Sequence, residues 1–105
     1  MASVTVYTWD DVQPEVGDGV SRKLISGDGA SLKMVSIKAG TMADRHSHPH
    51  EQFVHVLEGS GYLECETGTI PLKPGVVIHF APDAWHSAVF ESETILVEVN
   101  LRPAG

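Results

Sequence analysis

The sequence predicts an all-β fold in which short strands close over one core as a barrel or sandwich of jelly-roll type. Three observations carry this. Alternating or β-branched apolar runs recur along the chain, turn clusters rich in Gly and Pro separate most of them, and the one helical signal is a single turn near residues 10–13. A protein of many short strands must cover its sheet faces and edges with other strands, and a barrel or jelly roll does so.

Taken in order, strands are expected at residues 4–9, 32–38, 53–57, 62–66, 76–80, 86–90 and 94–101. Chain reversals are expected at Gly17-Asp18-Gly19, Gly27-Asp28-Gly29, Gly59-Ser60-Gly61, Gly68, Lys73-Pro74-Gly75 and Pro82-Asp83, where Gly supplies positive φ and Pro presets a turn. No repeat, linker or low-complexity segment interrupts the pattern. A length of 105 residues with 42% hydrophobic content therefore makes one domain spanning 1–105.

A formal net charge of −7 repels phosphate backbones and anionic lipid, so neither nucleic acid nor membrane is an expected partner. Residues 1–10 lack the basic start and apolar run of a secretory leader, and no segment approaches the ~20 apolar residues of a membrane span. The expected location is the cytoplasm. The single cysteine, Cys65, cannot form an internal disulfide, and its alternation with Leu63 reads as a small buried residue without chemistry.

Four of the six histidines fall within residues 46–55, in the run His46-Ser47-His48-Pro49-His50-Glu51-Gln52-Phe53-Val54-His55. On an extended strand, residues two apart face the same side at roughly 6.6–7 Å, so His46 and His48 can aim both rings at one ion ~2.1 Å from each. Gln52 shares their parity but would lie roughly 13 Å beyond on a straight strand. A bend is therefore required, and Pro49 is placed to supply it. A fourth ligand must come from elsewhere in the chain, and His86, beside the Pro82-Asp83 turn, is the best imidazole for it. His50-Glu51 opens like the zinc-protease signature His-Glu-x-x-His, but residue 54 is valine and the motif fails. His50, His55 and His79 read as structural or interface residues, and Trp9 and Trp85 as core or interface area.

These residues resemble the first motif of the cupin superfamily, a Gly, five residues, His-x-His, a carboxylate three or four residues on, and a closing Gly. Gly40, His46, His48 and Gly59 fall in register, with Gln52 at the carboxylate position. Of the second motif, Gly75 and His86 remain, while Phe90 stands where Asn is usual. The run from His46 through Gly59, with the upstream segment Gly17 to Leu24, resembles the group of cupins that includes the one that linearises unsaturated uronates in pectin degradation. The resemblance implies a cupin jelly roll with one divalent metal ion held by His46, His48, Gln52 and His86. It also implies a homodimer formed through an edge strand, with residues 1–30 as a dimerisation or capping arm, and a pocket bordered by the C-terminal strand. On that strand Glu98, Asn100 and Arg102 are the candidate catalytic and substrate-orienting residues, although Glu98-Val99-Asn100 replaces the relatives' Asp-x-Phe. Arg22 is a further candidate for the pocket.

Three neutral imidazoles and a carboxamide leave the charge of a divalent ion uncompensated, so the site is expected to attract an anion. Four protein ligands on an octahedral ion leave two positions for a chelating oxygenated substrate, and the set suits Ni, Fe, Mn, Zn or Cu alike. The expected function is a metalloenzyme acting on a small oxygenated anion such as a sugar acid, by ring opening, tautomerisation or isomerisation. An iron-dependent dioxygenase and a non-catalytic metal or small-molecule binder are the alternatives.

Overall fold

Ten strands form two antiparallel sheets in the computed structural model of the chain, which describes residues 2–102. The strands are β1 (Glu15–Gly17), β2 (Val20–Ser26), β3 (Ala30–Ile37), β4 (Met42–His46), β5 (Gln52–Glu58), β6 (Gly61–Cys65), β7 (Gly68–Leu72), β8 (Val77–Phe80), β9 (His86–Phe90) and β10 (Thr94–Leu101). One sheet runs β1-β2-β3-β10-β5-β8 and the other β4-β9-β6-β7. The family-type jelly roll expected from the sequence is the observed architecture.

Period-two patterning decides which side chains enter the space between the sheets. On β5, Gln52, Val54 and Val56 are buried while Phe53 and His55 face out; on β9, His86, Ala88 and Phe90 are buried. These residues meet Val35 and Ile37 of β3, Leu63 of β6, Leu72 of β7, Ile78 and Phe80 of β8 and Leu96 of β10 in one core. Each such side chain taken from water contributes roughly 1.5–3 kcal/mol, which is what holds two sheets together against chain entropy.

Gly59, which closes the first motif, has a structural reason to be glycine. Its φ is +108°, and a Cβ there would sit 2.6 Å from Cα of the fully buried Thr94. The β5–β6 turn thus lies directly against the start of β10, where only a residue without a side chain fits.

Six of the seven expected strands are present within one or two residues. The seventh, at 4–9, is not: the described part of the N-terminal segment has no strand before β1, and Val4 and Val6 are 92% and 84% exposed. The segment instead lies beside Ile25, Leu32 and Val99, with which Thr5 and Tyr7 line a shallow pocket, and it pairs with no strand. The helical turn expected at 10–13 occurs as one 3₁₀ turn, Trp9–Asp11. The short strand β1 forms one free edge of the larger sheet, and no helix among the described residues is long and apolar enough to cross a membrane.

Candidate metal centre and cavity

A β-bulge aims the first histidine. β4 pairs with β9 through Ala43 and Ala88, then through His46 and His86, so three steps on β4 match two on β9. The extra residue breaks strict alternation and lets both Ala43 and His46 face the space between the sheets, with Asp44 and Arg45 left outside. His46 ends β4, His48 lies in the following loop rather than on a strand, and Gln52 begins β5, so residues 47–51 make the bend the sequence required near Pro49. The turn at Pro82-Asp83 is fastened to this loop, the Asp83 amide donating to the His48 carbonyl at 2.7 Å. That bond carries the start of β9, and with it His86, up to the histidine pair.

Ligating nitrogens of His46, His48 and His86 all lie within 4.8 Å of one another. Two nitrogens bound to one ion at ~2.1 Å are at most ~4.2 Å apart, so small ring rotations suffice to close the triad on a metal. Outer hydrogen bonds select the inward nitrogen: Nδ1 of His46 donates to the Asp44 carbonyl at 2.6 Å and Nδ1 of His86 to the Ala84 carbonyl at 3.1 Å, leaving Nε2 of each as the donor atom. Burial and the neighbouring imidazoles hold the His48 pKa below the usual histidine range. Burial also lowers His86, with His46 adding to the effect against the opposing Ala84 carbonyl. Both shifts favour the neutral form that ligation needs.

Gln52 is buried, and its amide nitrogen donates to Oδ1 of Asn100 at 2.9 Å. Its oxygen has no protein donor among the described residues, and since no buried polar atom there lacks a partner, that oxygen is left accessible on a residue that lines the cavity. Asn100 Oδ1 also accepts from Nε2 of His50 at 3.0 Å. His50 therefore serves the site from outside the triad. The residues present fit a divalent metal: three imidazoles converge, and a carboxamide whose nitrogen is held by Asn100 lines the same cavity.

A cavity of about 290 Å³ runs from the triad down between the sheets, with Glu98 on its wall. Burial pushes the Glu98 carboxyl above the usual carboxylate range, an effect that Lys33 and Arg22 partly reverse. Lys33 stands directly opposite Glu98 in the β10–β3 register, and Arg22 lines the cavity from β2. Lys33 was not legible as a site residue, because only the strand register brings it beside Glu98. Arg102 differs from expectation. It follows the end of β10 with an exposed side chain, its amide donates to the Gly29 carbonyl, and it is not part of the cavity wall, because β10 stops at Leu101 at the barrel rim.

The remaining singled-out residues lie away from the triad. His55 and His79 face outward, His79 paired to Glu51 at 2.5 Å and its ring 4.8 Å from that of Phe53. Trp85 carries the Arg45 guanidinium 4.0 Å over its ring. Cys65 is half-buried against the core, with Sγ 3.2 Å from the Thr67 hydroxyl.

The Cupin domain family matches residues 33–100, which hold the triad, Gln52 and β10 up to Asn100. This chain belongs to the cupin family. No curated protein matches it. Among solved structures it is similar to an RmlC-like cupin from Shewanella frigidimarina, at TM-score 0.87 and 19% identity over 96% of this chain and 93% of that one. Ectoine synthase from P. lautus follows at TM-score 0.86 and 23% identity, over 96% and 80%. KdgF from Halomonas sp. gives TM-score 0.82 and 21% identity, over 94% and 96%. At these identities the cupin likeness is one of fold, and the chemistry has to be argued from the site.

Proposed function

We propose that this cupin is a metalloenzyme that binds one divalent transition-metal ion through His46, His48, Gln52 and His86 and acts on a small oxygenated anion. The convergence of three imidazoles beside an uncharged carboxamide carries the reading, because such a ligand set brings no negative charge and leaves that of a divalent ion for the substrate to balance. Sugar acids and keto acids are members of that substrate class, and a metal that stabilises an enolate favours an isomerising or ring-opening reaction on such a compound.

A bound ion would polarise a substrate oxygen and stabilise negative charge developing on it. Every other part is supplied by the chain. Arg22 and Lys33 bring positive charge to the cavity and draw an anion in. Glu98, held in its protonated form further toward neutral pH than an exposed carboxyl, is suited to give a proton to the substrate and take one back. Asn100 holds Gln52 by its amide nitrogen so that the oxygen is the atom presented. Arg102, exposed beyond the end of β10, has no part in these steps.

Two copies are proposed to pair through the larger sheet. Its outer face leaves Phe53 and Val77 at 38% and 60% exposure, and the β1 edge carries Val16 at 77%. Sedimentation giving only monomer at roughly tens of micromolar would remove the dimer.

Elemental analysis of the protein as isolated tests the metal site, with His48→Ala as control. About one equivalent of metal in the parent and strong depletion in the variant are expected. Equal metal content in both would overturn the assignment. Turnover of sugar acids and keto acids by metal-replete protein tests the activity, and no turnover of any would remove it.

A further inference from the structure

The wall of the cavity divides sharply by chemistry. Exposed lining residues, Asp18, Arg22, Met42 and His46, mark the opening between β2 and β4. Among the buried lining residues, polar atoms occur only on Gln52 and His86; of the half-buried ones, His48 and Glu98 lie beside them and Thr41 stands at the far end, its backbone bonded to that of Phe90. One register step deeper, β10 and β3 present Leu96 and Val35, and the facing sheet presents Leu63 and Ala88, closed below by Phe90. No hydroxyl, amide or charge stands among these five.

We propose that the ligand of this site has an apolar body, a ring or chain of about six carbons, behind its chelating anionic head, so that keto acids and enols with hydrocarbon tails fit it and sugar acids do not. The inference rests on the metal-binding reading above and narrows its substrate class.

Size and desolvation both point this way. Apolar cavities of ~150 Å³ admit a benzene ring. A space of about 290 Å³ therefore has room for a body of that size beside the head group at the triad. A sugar acid carries a hydroxyl on almost every carbon, and each hydroxyl pressed against Leu96, Val35 or Leu63 gives up water for no partner. Binding such a molecule would set several uncompensated losses against one chelate, whereas a hydrocarbon body gains from the same surface.

The test is calorimetric titration of the full-length, nickel-loaded protein with α-keto acids of increasing chain length from pyruvate to α-ketooctanoate, with phenylpyruvate and with galacturonate. Affinity should rise about fourfold for each added methylene until the cavity is filled, since each buried CH₂ is worth ~0.8 kcal/mol. Phenylpyruvate should bind well above pyruvate, and galacturonate no better than pyruvate. Flat affinity along the series, or galacturonate binding more tightly than phenylpyruvate, would overturn the apolar-body inference and leave the chelating site standing. Binding of none of these anions to metal-loaded protein would instead overturn the anion site itself. Ala88→Leu, which adds bulk to the deep wall, should weaken phenylpyruvate about tenfold more than pyruvate, with nickel content measured as the check on the folded site. Equal weakening of both ligands would place the tail elsewhere.

Discussion

Replacing Asn100 with leucine isolates the network that orients Gln52. The side chain keeps its volume, but Oδ1, which accepts 2.9 Å and 3.0 Å bonds from Gln52 and His50, is gone. Half-buried His50 can find water in place of the lost acceptor. Gln52, at 4% exposure, cannot, so one buried N–H donor is left unpaired at a cost of ~1–3 kcal/mol. For a domain of this size that is a fall in Tm of at least about 4 °C in metal-free protein. The second effect is on the metal. A carboxamide free to rotate presents nitrogen as readily as oxygen, and loss of an outer partner of this kind costs about 10–100-fold in metal affinity. Asn100→Asp keeps the acceptor and should restore both quantities. Thermal melts of the apo protein and competitive titration with a chelator read the two effects separately. An Asn100→Leu protein with an unchanged Tm would show that the bond to Gln52 does not stabilise the fold. Unchanged metal affinity would show that Gln52 is not a ligand whose orientation matters.

Gln52→Glu should tighten metal binding and weaken anion binding by roughly tenfold or more, since unit charges 4 Å apart at an effective dielectric of ~20 interact by ~4 kcal/mol; parallel titrations with metal and with phenylpyruvate check it. Glu98→Gln should raise the stability of metal-free protein at pH 7 to 8. The folded-state pKa of Glu98 is raised, so the folded chain binds the extra proton and loses stability as pH climbs from the ordinary carboxylate range through that higher value, a loss glutamine does not suffer. The same variant should lose about 10²–10⁴-fold in turnover if Glu98 moves a proton. His48 and His86 act with the opposite sign: their folded pKa values are lowered, so the unfolded chain takes up protons first and apo stability falls as pH drops below about 6.5, which urea titrations at pH 7.5 and 5.5 would record. Gly59→Ala should cost about 3 kcal/mol through overpacking on Thr94, whereas Gly40→Ala, with φ +85° and open space around it, should cost only ~1–2 kcal/mol.

The triad was legible because chelation imposes short-range pattern on the chain. His-x-His is a spacing, Pro49 marks a bend, and the Pro82-Asp83 turn flags His86. The strands were legible where alternation is clean, as on β5, β6 and β9. β4 escaped because its bulge sets Asp44 and Arg45 side by side on the outside and breaks the period of two. β2 escaped because its inward positions include Arg22, at the cavity mouth, and Leu24, both exposed, so its apolar and polar residues do not alternate. A strand that lines an opening does not alternate as a strand that seals a core does.

What the sequence could not convey is register, and register is where the chemistry is assembled. Lys33 faces Glu98, and Asn100 faces Gln52, because β10 lies between β3 and β5 with those residues paired across it. Neither partner is near the other in the chain. The consequence is physical: the central strand of the larger sheet brings a carboxyl and its countercharge into one band, and the carboxamide with its clamp into the next. A one-residue slip of β10 would turn Glu98 and Asn100 to the outer face and Val97 and Val99 into the cavity. The buried pair Leu96 and Thr94 prevents it, since both would be driven out of the core by the same slip. The apolar floor beneath the site therefore fixes the register that positions the polar residues above it, and the same floor is the surface offered to the body of a ligand.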